Sequence, residues 1–590
     1  GEDINGMKKV FAFILTFALI FASTGLGAVS TSDCKQVAVV SPSYGQTKAE
    51  ALRYNTAKAE PKVYKAASDN SIADIVSDIQ TMGFGEALKH TLINCIGAVI
   101  DAIINKVIEI FPDVEHETEE TYVNESFFAG TESFLDKPAQ GAVWRLGYSS
   151  ASIVPDNILT KDYYFGGYMF PLIPAESVAD DQRVRVICID DKSGRGTAAF
   201  CVIDGIGLGN GDVNQIRALL KEFAQENNIV SINVSCTHAH SCIDTQGLSG
   251  KFLLSALTNA IFTKYDFLNG TITSGRDPEF FNGLYTKTAQ AVKDAFHSMK
   301  EGKLFFKTCD VSEYIGDKRN PQVFDPNINC LHFVPNDNSR ETWIANLGCH
   351  PTCLDRTNTS ISADYPYFME KAVNEIGNAN FMFVQGAQGA ISNQRSKFNT
   401  TGEMTGYEVM AAMGTEFGRI VVEEGTPETE IEPLFNIRHA EVLVPVTNPV
   451  LKLVIKAQLV NNVVVETAQR QKIATEIGYA EFGTSLASAI LPGEVFPEIV
   501  WGGAFSAEDS WSGEEYNEPS IQEIIGNDKK VIAFGLANDA AGYILPDNDY
   551  APFIADSFGL PHYEELLSGG SSVASTIVEA YVNMVGTIRD

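Results

Sequence analysis

The sequence predicts an α/β protein with a large mixed β-sheet and flanking helices, preceded by a small helical N-terminal segment. Three observations carry this expectation. Leu88, Leu92, Cys95, Ile96, Val99, Ile103, Val107 and Phe111 recur at helical spacing, and strand-like and helix-like segments alternate from about residue 139 onward. The composition, 45% hydrophobic and 20% charged over 590 residues, is that of a globular chain. Residues 88–111 read as an amphipathic helix packed on the main domain, because Asp101, Lys106 and Glu109 do not make the strongly basic face of a membrane-surface helix. The acidic run 113–120 reads as a solvated linker, with a boundary near Pro138. Strands follow at 184–189 and 198–203, then a helix at 213–225 and a strand at 229–235. A helix at 278–299, strands at 303–309 and 342–347, a helix at 366–376, a strand at 381–384 and a helix at 407–423 continue the series. Strands around 441–444, 485–491 and 531–536 and a helix over 572–585 close it. Such alternation favours a parallel or mixed sheet covered by helices.

Charge and the N-terminus bound the function. Lys and Arg number 43 against 75 Asp and Glu, a net charge of −32, and no run of basic residues offsets it, which excludes a nucleic-acid binder as the first reading. Residues 7–29, MKKVFAFILTFALIFASTGLGAV, place two lysines before an apolar run and then small residues. That is the pattern of a secretory signal peptide, with the apolar run too short for a spanning helix. The chain therefore divides into residues 1–28 (an extension and the signal peptide), 29–138 (the helical segment and linker) and 139–590 (the main domain), and the protein is expected to be secreted. In an oxidising compartment the ten cysteines permit disulfides, and the pairs Cys236 with Cys242 and Cys349 with Cys353 are close in sequence. Metal ligation by these thiols is the sharper reading, and disulfides or buried free thiols the plainer ones.

Walker A, HExxH, GxSxG and EF-hand signatures are absent, and the glycine-rich 207–211 reads as a strand-to-helix turn. The informative segments are five places where strands run out into polar or small residues. The first is Thr237-His238-Ala239-His240-Ser241. Two histidines at i and i+2 of an extended chain face one side, which suits a metal ligand and its hydrogen-bonding neighbour, or a pair of polar loop residues. The others are His350-Pro351-Thr352-Cys353 followed by 358–364 (NTSISAD), the strand exit 383–393 (FVQGAQGAISN) with its loop Gly389-Ala390-Ile391-Ser392-Asn393, the turn Pro492-Gly493-Glu494, and 537–543 (ANDAAGY), which ends in Tyr543.

In chain order these five segments resemble the neutral ceramidase family, secreted zinc amidases of the neutral/alkaline, non-lysosomal type that cleave N-acylsphingosines. The resemblance implies zinc held by His238, His350, Glu494 and Tyr543, with His240 beside the metal to protonate the leaving amine. It places Ser392 near the substrate carbonyl. Arg319, in Arg319-Asn320-Pro321, would contact substrate, and Tyr563 would be a second active-site tyrosine. It implies Zn2+ as cofactor, hydrolysis of a ceramide-like amide by zinc-activated water, and transient contact with a membrane surface. Residues 495–501 could line an apolar groove or simply pack as core. The sequence departs from the family pattern at Ala540, where the family has tyrosine, at Asn393, where it has proline, and at Cys353, where it has serine. Because the sequence runs on only briefly after the last motif, the immunoglobulin-like C-terminal domain of longer members is expected to be missing. Two other readings stand beside this one: a zinc hydrolase of the same fold acting on another lipid-like amide or ester, and a non-catalytic lipid-binding surface protein. Oligomeric state is not legible.

Overall fold

The computed structural model describes residues 84–109, 116–168, 173–248, 276–456, 459–466 and 471–589, so the signal-peptide segment lies outside the described residues. The mixed sheet is present. Eight strands run in the spatial order Asn380–Gln385, Thr342–Leu347, Asn327–Pro335, Lys300–Asp310, Trp144–Ser152, Arg183–Asp190, Thr197–Ile203 and Ile229–Cys236, and Thr429–Ile431 adds to Lys300–Asp310 as a ninth. Only the two end pairs are parallel, Thr342–Leu347 with Asn380–Gln385 and Thr197–Ile203 with Ile229–Cys236.

A second sheet, not foreseen as a separate layer, packs on the first. Its central strand Gln471–Phe482 pairs antiparallel with Phe435–Pro445 over eleven residues and with Leu486–Ile490, which pairs parallel with Lys530–Phe534. The period of two in each strand sorts side chains between layers. In Thr197–Ile203, Ala199, Cys201 and Ile203 face the core under the helices Asn210–Glu226 and Pro278–His297, whereas Ala198, Phe200 and Val202 face the second sheet. Phe200 meets Phe534 of the second sheet edge-on, with ring centroids 5.8 Å apart. On the far side of the second sheet, Ala487 and Ala489 pack on Ile577, Val578 and Tyr581 of the helix Val573–Thr587. The result is four layers, helix, sheet, sheet, helix, in which strands buried on both faces read as continuous apolar runs.

Helix ends are fixed locally. Asp277 accepts hydrogen bonds from the N–H groups of Glu279 and Phe280 at the start of Pro278–His297, and Thr405 with Glu408 forms a capping box for Gly406–Glu423.

Two expectations about the N-terminal part change. The described part of the acidic run, residues 116–120, does not hang as a linker, since Glu117–Thr118 pairs with Val464–Glu466, and the residues after it are packed too: Thr131 N–H donates to Ile437 O at 2.7 Å, and Phe134 stacks on Tyr479. The boundary near Pro138 therefore separates no packing units. The helix Phe84–Ile108 does form, but it packs through Ala87, Ile93, Asn94, Gly97, Ile104 and Val107, while Leu88, Leu92, Cys95, Val99 and Ile103 face outward. Neither expected cysteine pair is joined. All nine described cysteines are free thiols, and eight are buried.

Candidate active site

Five strand ends meet on one side of the molecule. The segment 535–538 wedges between the two end strands of the first sheet: Gly535 N–H donates to Gln385 O and Asn538 N–H to Val234 O. This brings the exits of Ile229–Cys236, Thr342–Leu347, Asn380–Gln385, Leu486–Ile490 and Lys530–Phe534 together. Open α/β sheets bind ligands in this place, outside the carboxyl ends of parallel strands.

His238 leaves its strand with φ 66°, in the left-handed region that residues other than glycine adopt at a cost of roughly 1–3 kcal/mol. The strained backbone turns its ring inward, where Nδ1 lies 2.7 Å from Ile206 O. His350 is held the same way, with Nδ1 2.7 Å from Ile391 O. A main-chain carbonyl can only accept, so in each neutral ring the proton sits on Nδ1 and the lone pair on Nε2. Both Nε2 atoms stand 3.1 Å from the same oxygen, Glu494 Oε2. Glu494 and Tyr543 are register partners in the short parallel pair Glu494–Val495 with Tyr543–Ile544, which sets the phenol 3.4 Å from His350 Nε2. The pairing needs Gly493, because a Cβ there would run into Gly542 O.

His240 completes the cluster. The ring stands edge-on to His238 at 4.8 Å and to Tyr168 at 5.0 Å, and neither ring nitrogen has a hydrogen-bond partner. One ligand atom from each of His238, His240 and His350 falls within 4.8 Å of the others. Gly167, at φ +81°, lies flat against the His240 ring, where any Cβ would collide with Nδ1.

These groups fit a divalent metal. Two lone pairs aimed at one buried carboxylate oxygen repel it unless a cation lies between them, and His240 adds unpartnered nitrogens that burial would otherwise penalise. Burial, then the neighbouring His238 and His350, pushes the His240 pKa well below the ordinary histidine value. Burial also lowers the His350 pKa. Burial, then the Glu494 charge, raises the Tyr543 phenol well above the usual range.

The remaining expected residues fall around this centre. Tyr563 lies edge-on to Tyr543 at 6.0 Å, and its hydroxyl accepts from Lys318 Nζ at 3.2 Å. Ser392 is half-buried in the short pair of Ile391–Asn393 with Ile315–Asp317, next to the carbonyl that holds His350. Arg319 has a different place from the substrate contact expected of it. It is 2% exposed, and its guanidinium is bound to Asp549 at 2.8 Å, Glu564 at 2.7 Å and both oxygens of Glu565 at 3.0 Å, so it braces the wall behind Tyr563. Val495, Phe496, Ile499 and Val500 are fully buried core.

Several site residues lie in the flagged strand exit 383–393 without a role that the sequence assigned them. Gln385 pins three loops, donating to Thr237 O and Cys349 O and accepting from Cys349 N–H. Gln388, fully buried, approaches Glu494 Oε2 at 3.4 Å. Asn393, at the family's proline position, donates to His350 O at 2.9 Å. Only their strand-exit position marks them in the sequence.

The fold and the site together define an α/β protein with a buried histidine–carboxylate–tyrosine centre at its strand ends. No family model matches the sequence, and neither does any curated protein. Among solved structures, the chain is similar to neutral ceramidase from Pseudomonas aeruginosa, at TM-score 0.55 and 14% identity over 76% of this chain and 75% of that one. A ceramidase complexed with C2 matches with the same values. The chain has the neutral ceramidase fold.

Proposed function

We propose that the protein is a secreted zinc-dependent amide hydrolase that cleaves N-acylsphingosine to a sphingoid base and a fatty acid. The observation that carries the reading is the convergence of His238, His350, Glu494 and Tyr543 at the strand-end face of this fold. His238 and His350 would hold the metal through Nε2 and Glu494 through a carboxylate oxygen, with Tyr543 beside them. When bound, zinc supplies Lewis acidity to the amide carbonyl and lowers the pKa of water toward about 7.

The chain's own groups do the rest. Ile206 O and Ile391 O fix both imidazoles in one tautomer and one orientation. Tyr543, kept protonated by burial and by Glu494, presents a hydroxyl that can donate to the carbonyl oxygen as charge develops on it. His240, neutral and with both ring nitrogens unpartnered, can take up a proton and return it to the leaving amine nitrogen. The compact wall of Arg319 with Glu564 and Glu565 keeps Tyr563 against Tyr543. Secretion rests on the signal-peptide pattern of residues 7–29.

The test is zinc content together with hydrolysis of three matched substrates: an N-acylsphingosine, a simple N-acyl amide and the corresponding ester. The reading expects about one zinc per chain, lost in His238→Ala and reduced in Glu494→Gln, and amide turnover that falls with the metal. Ester turnover without amide turnover would move the protein to another lipid-like substrate. Metal-free wild-type protein that binds lipid without turnover would leave only a binding function.

A further inference from the structure

The helix Phe84–Ile108 is docked on the protein yet leaves a second apolar face exposed. Three of its polar side chains face the protein: His90 Nε2 lies 3.1 Å from Trp511 O, Asn94 accepts from Trp511 Nε1 at 3.1 Å, and Asp101 is turned inward near Lys452, while Glu86 and Lys106 near the two ends stay exposed. Ile93 packs with Ala551, Ile554 and Ala555 on the same side. The outward face is an apolar stripe of Leu88 (59% exposed), Leu92 (49%), Cys95, Val99 (60%) and Ile103 (44%). At 1.5 Å per residue it runs for about 22 Å without a charge. A continuous exposed apolar stripe on a helix already docked by its opposite face marks an interaction surface.

We infer that this stripe docks the protein on a neutral, zwitterionic lipid surface, an inference that rests on the lipid-amide reading of the site. Charge selects the occupant. Within the helix two acidic residues (Glu86, Asp101) balance two lysines (Lys89, Lys106), and the stripe offers no ion-pairing group to a protein partner, while a net charge of −32 opposes an anionic membrane. Location agrees with this. The docked face rests on Trp511, whose ring stands edge-on to His562 at 5.5 Å, and the next residue, Tyr563, stands against Tyr543 of the site. A helix lying in the interface would hold this wall at the lipid boundary.

Cys95 is the one exposed cysteine among the described residues, so in a Cys34→Ser background it accepts an environment-sensitive fluorophore. With phosphatidylcholine vesicles the label should brighten several-fold and be quenched by a lipid-phase quencher. Phosphatidylserine vesicles should bind more weakly. Leu92→Asp with Val99→Asp should reduce vesicle co-sedimentation at least ten-fold and slow hydrolysis of vesicle-embedded substrate, while a short-chain substrate in free solution reports the site separately. A label that stays aqueous with vesicles, a label already shielded in vesicle-free protein, or co-sedimentation indifferent to the double substitution would overturn the inference. Vesicle binding without turnover of either substrate would leave docking in place and refute the hydrolase reading instead.

Discussion

At the scale of single residues, the side chains that converge at the site were singled out in the sequence only where a motif marked them. His238, His350, Glu494 and Tyr543 stand out because strand exits carry histidine, a Pro-Gly-Glu turn and a terminal tyrosine. Gln385 and Asn393 do not, because an amide's role is set by which loops converge on it in space. Buried geometry can also mislead. Ser231 Oγ lies 2.9 Å from His439 Nε2, and His439 Nδ1 lies 3.0 Å from Glu476, the distances of a hydrolase triad. Yet Ser231 is 0% exposed, and Glu476 is bound to Arg217 at 2.8 Å, so the arrangement joins the two sheets and meets no substrate. Two predictions belong here. Gly167→Ala forces a methyl into His240 and should lower kcat by about 10-fold or more while zinc content persists, a split visible by pairing metal analysis with turnover. Arg319→Ala leaves three carboxylates buried beside an empty space and should cost about 3–5 kcal/mol in urea unfolding. A loss below about 1 kcal/mol would show those carboxylates to be protonated or hydrated without it.

At the scale of elements, helices with local caps were readable, as were three strands of the second sheet, but its central strand was not. Gln471–Phe482 is buried on both sides, so alternation vanishes, and it carries Thr475, Glu476 and Glu481 in its interior. Glu476 and Glu481 are satisfied by partners remote in sequence, such as Arg217 and Asn436, which no local pattern reveals. The helix Phe84–Ile108 shows the converse failure. Periodicity located it correctly but could not say which face is buried, because apolar residues surround most of its circumference. Its docking rests on a close approach in which a Cβ at Gly97 would meet Pro552 at 2.7 Å. Gly97→Leu should therefore lift the helix, at a cost of about 1–3 kcal/mol, and expose it to limited proteolysis, with little change in the melting of the rest. Unchanged proteolysis would mean that the helix is held elsewhere.

At the scale of the whole molecule, the four-layer fold buries acids as well as apolar surface. Burial raises Asp180, Asp539 and Asp547 to about 7. An unfolded chain ionises these carboxyls near pH 4, whereas the folded one keeps them protonated until near 7, so stability falls as pH rises through that window, by up to roughly 4 kcal/mol for each group. In the other direction, Glu476 is held down to about 2, chiefly by Arg217 against the cost of burial, and its contribution is lost as pH falls below about 4.5. The expected outcome is a Tm that climbs as pH drops from about 8 to about 5.5, with a shallower slope in Asp547→Asn. A Tm rising toward pH 8 would contradict it. Layering, topology and the five converging strand ends all serve one claim, that this chain hydrolyses a lipid amide at a zinc centre. The most direct measurement is hydrolysis of a fluorescent N-acylsphingosine by the zinc-loaded protein, by the same protein after chelation, and after zinc is restored. The account predicts turnover that disappears with the metal and returns with it, and that His238→Ala does not recover. Absence of turnover in the zinc-loaded protein, or turnover indifferent to chelation, would contradict it.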